Sequence, residues 1–139
     1  MSKLKLRVIA PTMATDKNPY KVEENVDMVI MRCTTGDMGI LPGRVPCSMV
    51  LDNGVLRVFD EEKVRRMAIL GGIAHVDDDI VTILSDSAQK PEEINAAQVT
   101  NELKELRRLH DETADLHEKD AHKKEIRRCQ VLLEVAEAE

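Results

Sequence analysis

The sequence predicts an α+β protein in which an N-terminal β-sandwich is followed by a C-terminal antiparallel two-helix hairpin. Two observations support this prediction. Every glycine lies at or before Gly72, and no Gly, Pro, Phe, Tyr or Trp follows Pro91. Apolar residues recur with the period of strands before this break and with the period of helices after it. We therefore expect a sandwich at residues 1–86, a linker at 87–90 and a helical hairpin at 91–139.

The first two predicted strands differ in pattern. Leu4, Leu6 and Val8 alternate with charged residues, which is typical of a strand with one face in water. Residues 26–33 are more continuously apolar, as in a strand that is buried on both faces. The two segments therefore predict one strand at the surface and one at the centre of the sandwich.

The middle of the first half carries turn signals. Asp52-Asn53-Gly54 predicts a hairpin between strands at 49–51 and 55–59, because Asn-Gly is favoured where both turn residues need positive φ. Many short strands at close spacing indicate a sandwich or a barrel. The remaining predicted strands are 64–70 and Ile80–Leu84, the second of them after an acidic turn at 77–79.

The second half predicts two amphipathic helices joined by a polar connection at 111–117. At about 100° per residue, each helix has one narrow apolar stripe. Stripes this narrow bury little area, so we expect the hairpin to need the sandwich or another partner for stability. The first stripe consists of Val99, Leu103, Leu106 and His110, and the second of Ile126, Cys129, Leu133 and Ala136, with His122 at its edge.

Composition argues against several functional classes. The net charge of −6 disfavours general nucleic-acid binding, and no apolar run approaches the roughly 18 residues that a membrane helix needs. The three cysteines are scattered and odd in number, so we expect reduced thiols rather than disulfides. The histidine spacing does not place two ligands on one helical turn, so neither a metal site nor a cofactor is expected.

Two patterns allow a chemical interpretation, and in each of them a structural one is favoured. The glycine-rich run at 36–46 could cradle a phosphate, but it lacks the Walker lysine and the GxGxxG spacing, so a turn is the better prediction. Cys33 or Cys47 could form a nucleophilic thiolate pair with His75. Nothing in the sequence brings these side chains together, so buried structural cysteines are favoured and no catalytic residue is expected. A small thiol enzyme remains an alternative that alkylation would test.

Four blocks of the first half, in a fixed order, carry a family resemblance. They are Val26-Asp27-Met28-Val29-Ile30-Met31-Arg32, Gly36-x-x-Gly39-Ile40-Leu41-Pro42-Gly43, Gly71-Gly72-Ile73, and Val81-Thr82-Ile83-Leu84-Ser85-Asp86-Ser87-Ala88. Together they resemble the epsilon subunits of F-type ATP synthases. That family has a β-sandwich followed by two helices, so the resemblance covers nearly the whole chain.

The resemblance implies a non-catalytic subunit of the central stalk, which couples ion-driven rotation of a membrane ring to ATP synthesis. It also implies that the C-terminal helices inhibit ATP hydrolysis by changing from a state folded on the sandwich to an extended one. The implied partners are the gamma subunit, the membrane c-ring and the catalytic alpha and beta subunits. The implied location is peripheral, on the cytoplasmic face of the inner (plasma) membrane, and the membrane is reached only through the complex.

The resemblance also implies two sets of contact residues. Asp37 occupies the acidic position that meets a polar loop of the ring in relatives, and Arg44 stands near gamma, where many relatives carry His. The implied ring and gamma contacts are Gly36, Asp37, Met38, Gly39, Pro42, Gly43 and Arg44, and the implied inhibitory contacts to the catalytic subunits are Lys119, Lys123, Lys124, Arg127 and Arg128.

The basic residues of the second helix are predicted to cover the half of the helix opposite the apolar stripe of Ile126, Cys129 and Leu133. Like charges four residues apart repel one another, so their concentration in an acidic chain needs a reason. The resemblance supplies one, an acidic segment of the catalytic subunits. The alternative is an ordinary solvated helix face.

An ATP-sensing nucleotide-binding module is the alternative function. In nucleotide-binding bacterial members the first helix begins Ile/Leu-Asp-x-x-Arg-Ala, whereas this chain has Ile94-Asn95-Ala96-Ala97-Gln98-Val99. Asn95 and Gln98 replace the Asp and the Arg, and Gln98 provides no charge for a triphosphate. No nucleotide binding is therefore expected.

Overall fold

The fold is known from a computed structural model that describes residues 3–10 and 22–137. Within these ranges the chain forms eight β-strands, one 3₁₀ turn at Pro91–Glu93 and two α-helices. The strands are β1 Leu4–Ile9, β2 Val22–Val26, β3 Met28–Cys33, β4 Gly36–Ile40, β5 Cys47–Asp60, β6 Lys63–Asp77, β7 Ile80–Leu84 and β8 Ala88–Gln89, and the helices are α1 Ala96–Glu112 and α2 Leu116–Glu137.

The described strands form one hydrogen-bonded sheet that folds over into two layers. The strand order is β2-β1-β7-β6-β5-β3-β4, and β8 pairs separately with β6. β1 runs parallel to β7, and the other described pairs are antiparallel. We call the two layers the helix-side layer and the open-side layer. The helix-side layer consists of β3, β4, β8, residues 55–60 of β5 and residues 63–70 of β6. The open-side layer consists of β1, β2, β7, residues 47–51 of β5 and residues 72–77 of β6. The predicted sandwich is confirmed.

The core lies between the two layers. β1 alternates buried and half-buried residues as predicted, with Leu4, Leu6 and Val8 inside. Both layers contribute to a single apolar cluster. Its largest fully buried members are Leu4, Leu6, Val8, Val26, Val29, Met31, Ile40, Leu56, Val76, Val81 and Ile83.

The hairpin predicted at Asp52-Asn53-Gly54 is wrong, because β5 runs through these residues without a turn. The buried side chains of β5 lie at Leu51 and then at Leu56 and Val58, so the alternation shifts between them. Relative to β3, β5 contains extra residues at this point, which is the signature of a bulge. The Asn-Gly signal therefore marks the bend at which β5 changes layer.

β6 bends at the same level, at Gly71-Gly72. Its inward residues shift from Ile69 to Ala74 across the glycine pair. A Cβ at Gly72 would lie 2.1 Å from the carbonyl oxygen of Leu84, so only glycine allows β7 to approach this closely. The two longest strands thus cross from one layer to the other side by side.

The single strand predicted at residues 26–33 is also wrong. Asp27 interrupts it, and β3 then alternates buried with more exposed residues instead of being buried on both faces. The Asp27 N–H donates to the carbonyl of Phe59 (2.8 Å), and its carboxylate accepts the Glu61 N–H (2.6 Å). A polar residue with these two bonds ends one strand and starts the next.

Two further predictions concern turns. The acidic turn at 77–79 is confirmed: Asp78 and Asp79 have φ of 51° and 59°, which gives β6 and β7 a two-residue hairpin. The turn predicted over 36–46 is wrong for its first half, because Gly36–Ile40 is the edge strand β4, paired with β3. The turn and loop are confined to residues 41–46.

The predicted helical hairpin is confirmed, and it packs on the helix-side layer. The Asn95 side-chain oxygen accepts the Gln98 N–H (3.1 Å) and so caps the start of α1. Residues 113–115 connect α1 to α2. The buried residues of the helix contact are Ala68 from β6, Val99 and Leu103 from α1, and Cys129, Val131, Leu132 and Val135 from α2.

The apolar stripe predicted for α2 is too narrow. Cys129 is buried as expected, and Ile126 and Leu133 are partly buried, but Val131 and Val135 are buried as well. These two valines lie on the side that was assigned to basic residues, because α2 contacts both α1 and the sheet.

The segment at 87–90 is more than a connector. Its residues Ala88–Gln89 form β8, the Ser87 carbonyl accepts the Leu70 N–H (2.9 Å), and Ala88 is buried in the sandwich core. The domain bounds themselves remain a prediction.

Candidate functional site

The described residues do not assemble the thiolate pair considered for the cysteines. His75 Nδ1 lies 2.8 Å from Ser48 Oγ, its cross-strand partner. Cys47 precedes Ser48 in β5, so its side chain lies on the opposite face, against the core. Cys33 is buried, and burial raises the pKa of its thiol, the reverse of what a nucleophile requires.

The part of the chain that the structure describes also forms neither a metal site nor a membrane-spanning helix. Within residues 3–10 and 22–137, no group of three His, Cys, Asp or Glu side chains is arranged to hold a metal ion. No helix in those ranges has both the length and the apolar character needed to cross a bilayer. The described residues present two exposed apolar surfaces and a basic face of α2.

The first surface is the loop at 41–46, which crosses from β4 to β5. Gly43 has a φ of 89°, a conformation that side chains with a Cβ rarely adopt, and its N–H donates to Asp79 Oδ1 (2.8 Å). This bond fixes the loop to the β6–β7 turn. Leu41 and Val45 are 57% and 74% exposed on it. Both were missed in the sequence, although two aliphatic residues beside Pro and Gly in a loop are a signal that could have indicated them.

The predicted ring and gamma contacts fall in two places. Gly36, Asp37, Met38 and Gly39 belong to the edge strand β4, whereas Pro42, Gly43 and Arg44 belong to the loop. The two groups are linked where Arg44 Nη2 lies 3.4 Å from Met38 Sδ.

Asp37 lies away from the loop. It is three residues before the end of β4, which corresponds to roughly 10 Å along a strand. Its carboxylate lies 3.4 Å from Arg32 Nη1 and 3.8 Å from Arg57 Nη2. In this conformation the acidic group is therefore shared between two guanidinium groups of the helix-side layer.

The second surface is an apolar row on the outer face of the open-side layer. Val50, Ile73 and Leu84 are 58%, 53% and 51% exposed. Val50 pairs with Ile73, and Ile73 pairs with Leu84, so the three side chains are neighbours across β5, β6 and β7. A contiguous exposed apolar row of this kind is typical of a protein contact. It could not be found from sequence, because it depends on the register of three strands.

The basic residues of α2 divide into two groups. Arg128 is engaged inside the hairpin: its guanidinium contacts Glu102 of α1 and lies 2.9 Å from Glu125. The other four, which form no ion pair with any described residue, are Lys119, Lys123, Lys124 and Arg127. The structure thus separates Arg128 from the set with which it was predicted.

Comparison with known proteins matches this architecture. The family model described as ATP synthase, Delta/Epsilon chain, beta-sandwich domain matches residues 3–91. An ATP synthase epsilon chain from Synechococcus sp. (strain RCC307) is 40% identical over 102 residues, 73% of this chain and 71% of that one. The chloroplastic epsilon chain of Gracilaria tenuistipitata var. liui is 31% identical over 133 residues, 96% of this chain and 95% of that one.

Solved structures extend the likeness to the helices. A chain in the cryo-EM structure of the Euglena gracilis mitochondrial ATP synthase, OSCP/F1/c-ring in rotational state 1, has a TM-score of 0.79 and 26% identity, covering 98% of this chain and 82% of that one. A chain of the Tetrahymena thermophila mitochondrial ATP synthase central stalk and c-ring shares the fold, with a TM-score of 0.64 and 14% identity, over 97% of each chain. The sequence matches and the common fold show that the chain belongs to the epsilon subunits of F-type ATP synthases.

Proposed function

We propose that this chain is a non-catalytic subunit of the central stalk of a rotary ATP synthase and that it couples rotation of a membrane ring to ATP synthesis. The observation that carries the proposal is the pair of exposed apolar surfaces on the sandwich. A stalk subunit needs such surfaces, because it transmits torque through contacts and not through chemistry. The likeness to a chain from an assembly of F1 and c-ring supports the same role.

The two surfaces suggest different partners. We assign the loop at 41–46 and the edge strand β4 to the c-ring, because Leu41 and Val45 present apolar side chains beside Arg44 at one corner of the sandwich. We assign the apolar row of Val50, Ile73 and Leu84 to the gamma subunit, the other long-lived neighbour of a stalk subunit. Both contacts would place the chain at the cytoplasmic face of the membrane, held there through the complex.

The hairpin is the proposed regulatory domain. Folded on the helix-side layer, as here, it leaves the catalytic subunits free. Extended, it would carry Lys119, Lys123, Lys124 and Arg127 toward an acidic segment of the alpha and beta subunits and block ATP hydrolysis. Extension would also release Arg128 from Glu102. A switch of this kind requires two packings of similar free energy.

Co-purification of the tagged full chain with gamma and the c-ring tests the proposal. Ile73→Glu places a charge in the apolar row and should abolish retention of gamma. Val64→Glu is the matched control, because Val64 is an exposed valine of β6 outside the row. Equal retention of gamma by both variants would remove the assignment of the row. Loss of gamma and ring from the unmodified chain, together with ATP binding by the free chain, would favour the nucleotide-sensing alternative.

A further inference from the structure

A cleft opens at one side of the sandwich, between two strand edges that no other described strand covers. One edge is β2, the end strand of the open-side layer. The other is the beginning of β6, because β8 pairs with β6 only at Ala68 and Ile69 and leaves the residues before them paired with β5 alone. The cleft has a volume of about 500 Å³, which is within the range of pockets that hold small molecules.

The cleft has an apolar lining because its walls are the inner faces of the two layers. Leu56 and Met67 are cross-strand partners that point into the core, and Leu6 of β1 lines the same space from the open-side layer. Val58 and the half-buried Val22 complete this lining. An alkyl chain suits such a space, because it would remove aliphatic surface from water without losing a hydrogen bond.

An ion pair spans the entrance of the cleft. Glu24 pairs in register with Leu6, and Arg65 pairs with Val58, so both charged residues occupy inward positions of their strands. Arg65 Nη1 and Nη2 donate to the two carboxylate oxygens of Glu24, at 2.9 and 2.5 Å. Two apolar side chains at these positions would fill the space between the layers, whereas the ion pair bridges it and leaves the cleft open beneath.

The rim of the cleft offers hydrogen-bond donors to an anion. Lys90 lines the cleft, and its ammonium group forms no ion pair with any residue in the described ranges. Its backbone N–H donates to Glu93 Oε1 (3.0 Å), which holds this residue at the rim. Arg65 contributes as well, since its guanidinium group has further N–H donors beyond the two that bind Glu24.

The remaining charges at the rim leave it positive. Glu23 also lines the cleft, but Arg7 holds it at 3.0 Å. Two lining cations without an ion pair to a described residue, Lys90 and Arg66, therefore stand against one exposed carboxylate, Glu92. The cleft thus combines an apolar interior with a rim that has a formal excess of one positive charge.

We propose that this cleft binds a medium-chain alkyl carboxylate, with the alkyl chain between the two layers and the carboxylate at Lys90 and Arg65. Ammonium and guanidinium groups both form charge-assisted hydrogen bonds with a carboxylate. Lys90 and Pro91 belong to the segment that leads from β8 to α1, so the ligand would also hold this segment against the sandwich. Binding of this kind is a property of the chain alone and does not depend on its place in an ATP synthase.

Calorimetric titration of the full chain with decanoate tests the proposal. Octanoate is two methylene groups shorter and should bind about 15-fold more weakly, because each methylene removed from an apolar site weakens binding about fourfold. Decanol keeps the chain without the charge, and acetate keeps the charge without the chain. Each of these two should bind at least about tenfold more weakly than decanoate.

Variants locate the binding. Lys90→Gln should weaken decanoate binding about tenfold, the loss expected for one charge-assisted hydrogen bond, without changing the ratio between decanoate and octanoate. Lys104→Gln is its matched control, because Lys104 is an exposed lysine of α1 outside the cleft. Val22→Trp should fill the cleft and abolish binding. Thr82→Trp is its control, because Thr82 is a half-buried β-branched residue of β7 outside the cleft.

Several outcomes would overturn the proposal. One is the absence of detectable binding of decanoate by the unmodified chain. Equal affinity for decanol and decanoate would show that Lys90 and Arg65 do not recognise the ligand. Unchanged affinity in both Lys90→Gln and Val22→Trp, with the fold of each variant verified by circular dichroism, would place the binding outside the cleft.

Discussion

The sandwich and the hairpin hold their structure by different means. The sandwich closes a core that draws on both of its layers and on all eight described strands, so each strand is fixed by several others. The hairpin has a smaller cluster, and that cluster is completed by Ala68, Val55 and Leu70 of the sheet. The sandwich should therefore fold alone, whereas the helices depend on a surface that they can leave. A subunit built in this way keeps one rigid part for attachment and one conditional part for control.

Separating the two parts should give the largest effect. A fragment of residues 1–93, which retains β8, should unfold cooperatively, because its core is complete. A peptide of residues 94–139 should be mostly disordered at low concentration, since short helices without a partner are marginal in water. Circular dichroism measures both. Stable helix in the isolated peptide would remove the contrast between the two parts.

Truncation of a buried side chain should have different consequences in the sandwich and in the hairpin. Ile83→Ala in the sandwich should lower the free energy of global unfolding by about 2–5 kcal/mol, the usual cost of truncating a buried aliphatic residue. Leu132→Ala, which truncates a buried residue of α2, should instead raise the rate at which a thiol reagent labels the buried Cys129, while the sandwich transition in urea stays nearly unchanged. A common shift of both readouts in both variants would mean that the chain is one cooperative unit.

Strain in the loop at 41–46 should lower stability less than the core truncations do, but it should clearly weaken attachment of the catalytic head to the membrane sector. Gly43→Val forces a β-branched residue into positive φ, at a cost of about 1–2 kcal/mol, although no described atom lies within 4 Å of the Cβ that it adds. We expect weaker attachment of the catalytic head to the membrane sector, with hydrolysis by the detached head intact. Glu61→Val is the matched control, because it places the same residue at a positive φ (58°) in the turn between β5 and β6, outside the proposed contact surfaces. Sedimentation of membranes with bound head measures the difference.

The basic face of α2 should give the smallest effect for each residue. Exposed ion pairs contribute about 0–1 kcal/mol, so Lys123, Lys124 and Arg127 should be changed to Ala together. Hydrolysis by the assembled complex should rise and lose its dependence on salt, while ATP synthesis stays nearly unchanged. Arg128→Ala is the contrasting variant, because Arg128 serves the hairpin through Glu102. Arg128→Ala should speed labelling of Cys129 in the free chain, because the ion pair with Glu102 is lost. The triple variant keeps that ion pair and should not speed labelling for this reason.

Deletion of the residues after Glu93 is the control for the basic face. If the deletion raises hydrolysis and the triple variant does not, the hairpin inhibits by contacts other than its charge. If neither changes the rate, the regulatory part of the proposed function is wrong and the stalk part is unaffected.

The turn signals in the sequence do lie where the backbone bends, but they do not always mark a reversal of the chain. Asn53-Gly54 does mark a backbone irregularity, but the strand continues because β3 and β6 both hold β5 on either side of it. Asp77, Asp78 and Asp79 form the predicted turn, and the strands on either side of it pair with each other directly, from Asp77 with Ile80 onward. Turn propensity therefore predicts where a chain bends, whereas pairing with other strands decides whether it reverses.

The contact surfaces were harder to predict from the sequence than the turns. Val131 and Val135 interrupt the predicted basic side of α2 only because the helix lies on a sheet as well as on another helix. The apolar row combines residues from three strands, so its composition depends on register and not on spacing along the chain. The glycine-rich loop was indicated by its residue types, since Gly43 meets a local backbone requirement.

The passage of β5 and β6 through both layers has a mechanical consequence. In most sandwiches a force applied to one sheet reaches the other through side chains that can slide. Here the surface proposed for gamma and the surface beneath the helices are connected along two uninterrupted, hydrogen-bonded chains. We therefore expect a twist of one face to be passed to the other along the backbone, with the bend at Gly54 and Gly71-Gly72 as the most compliant point of this path.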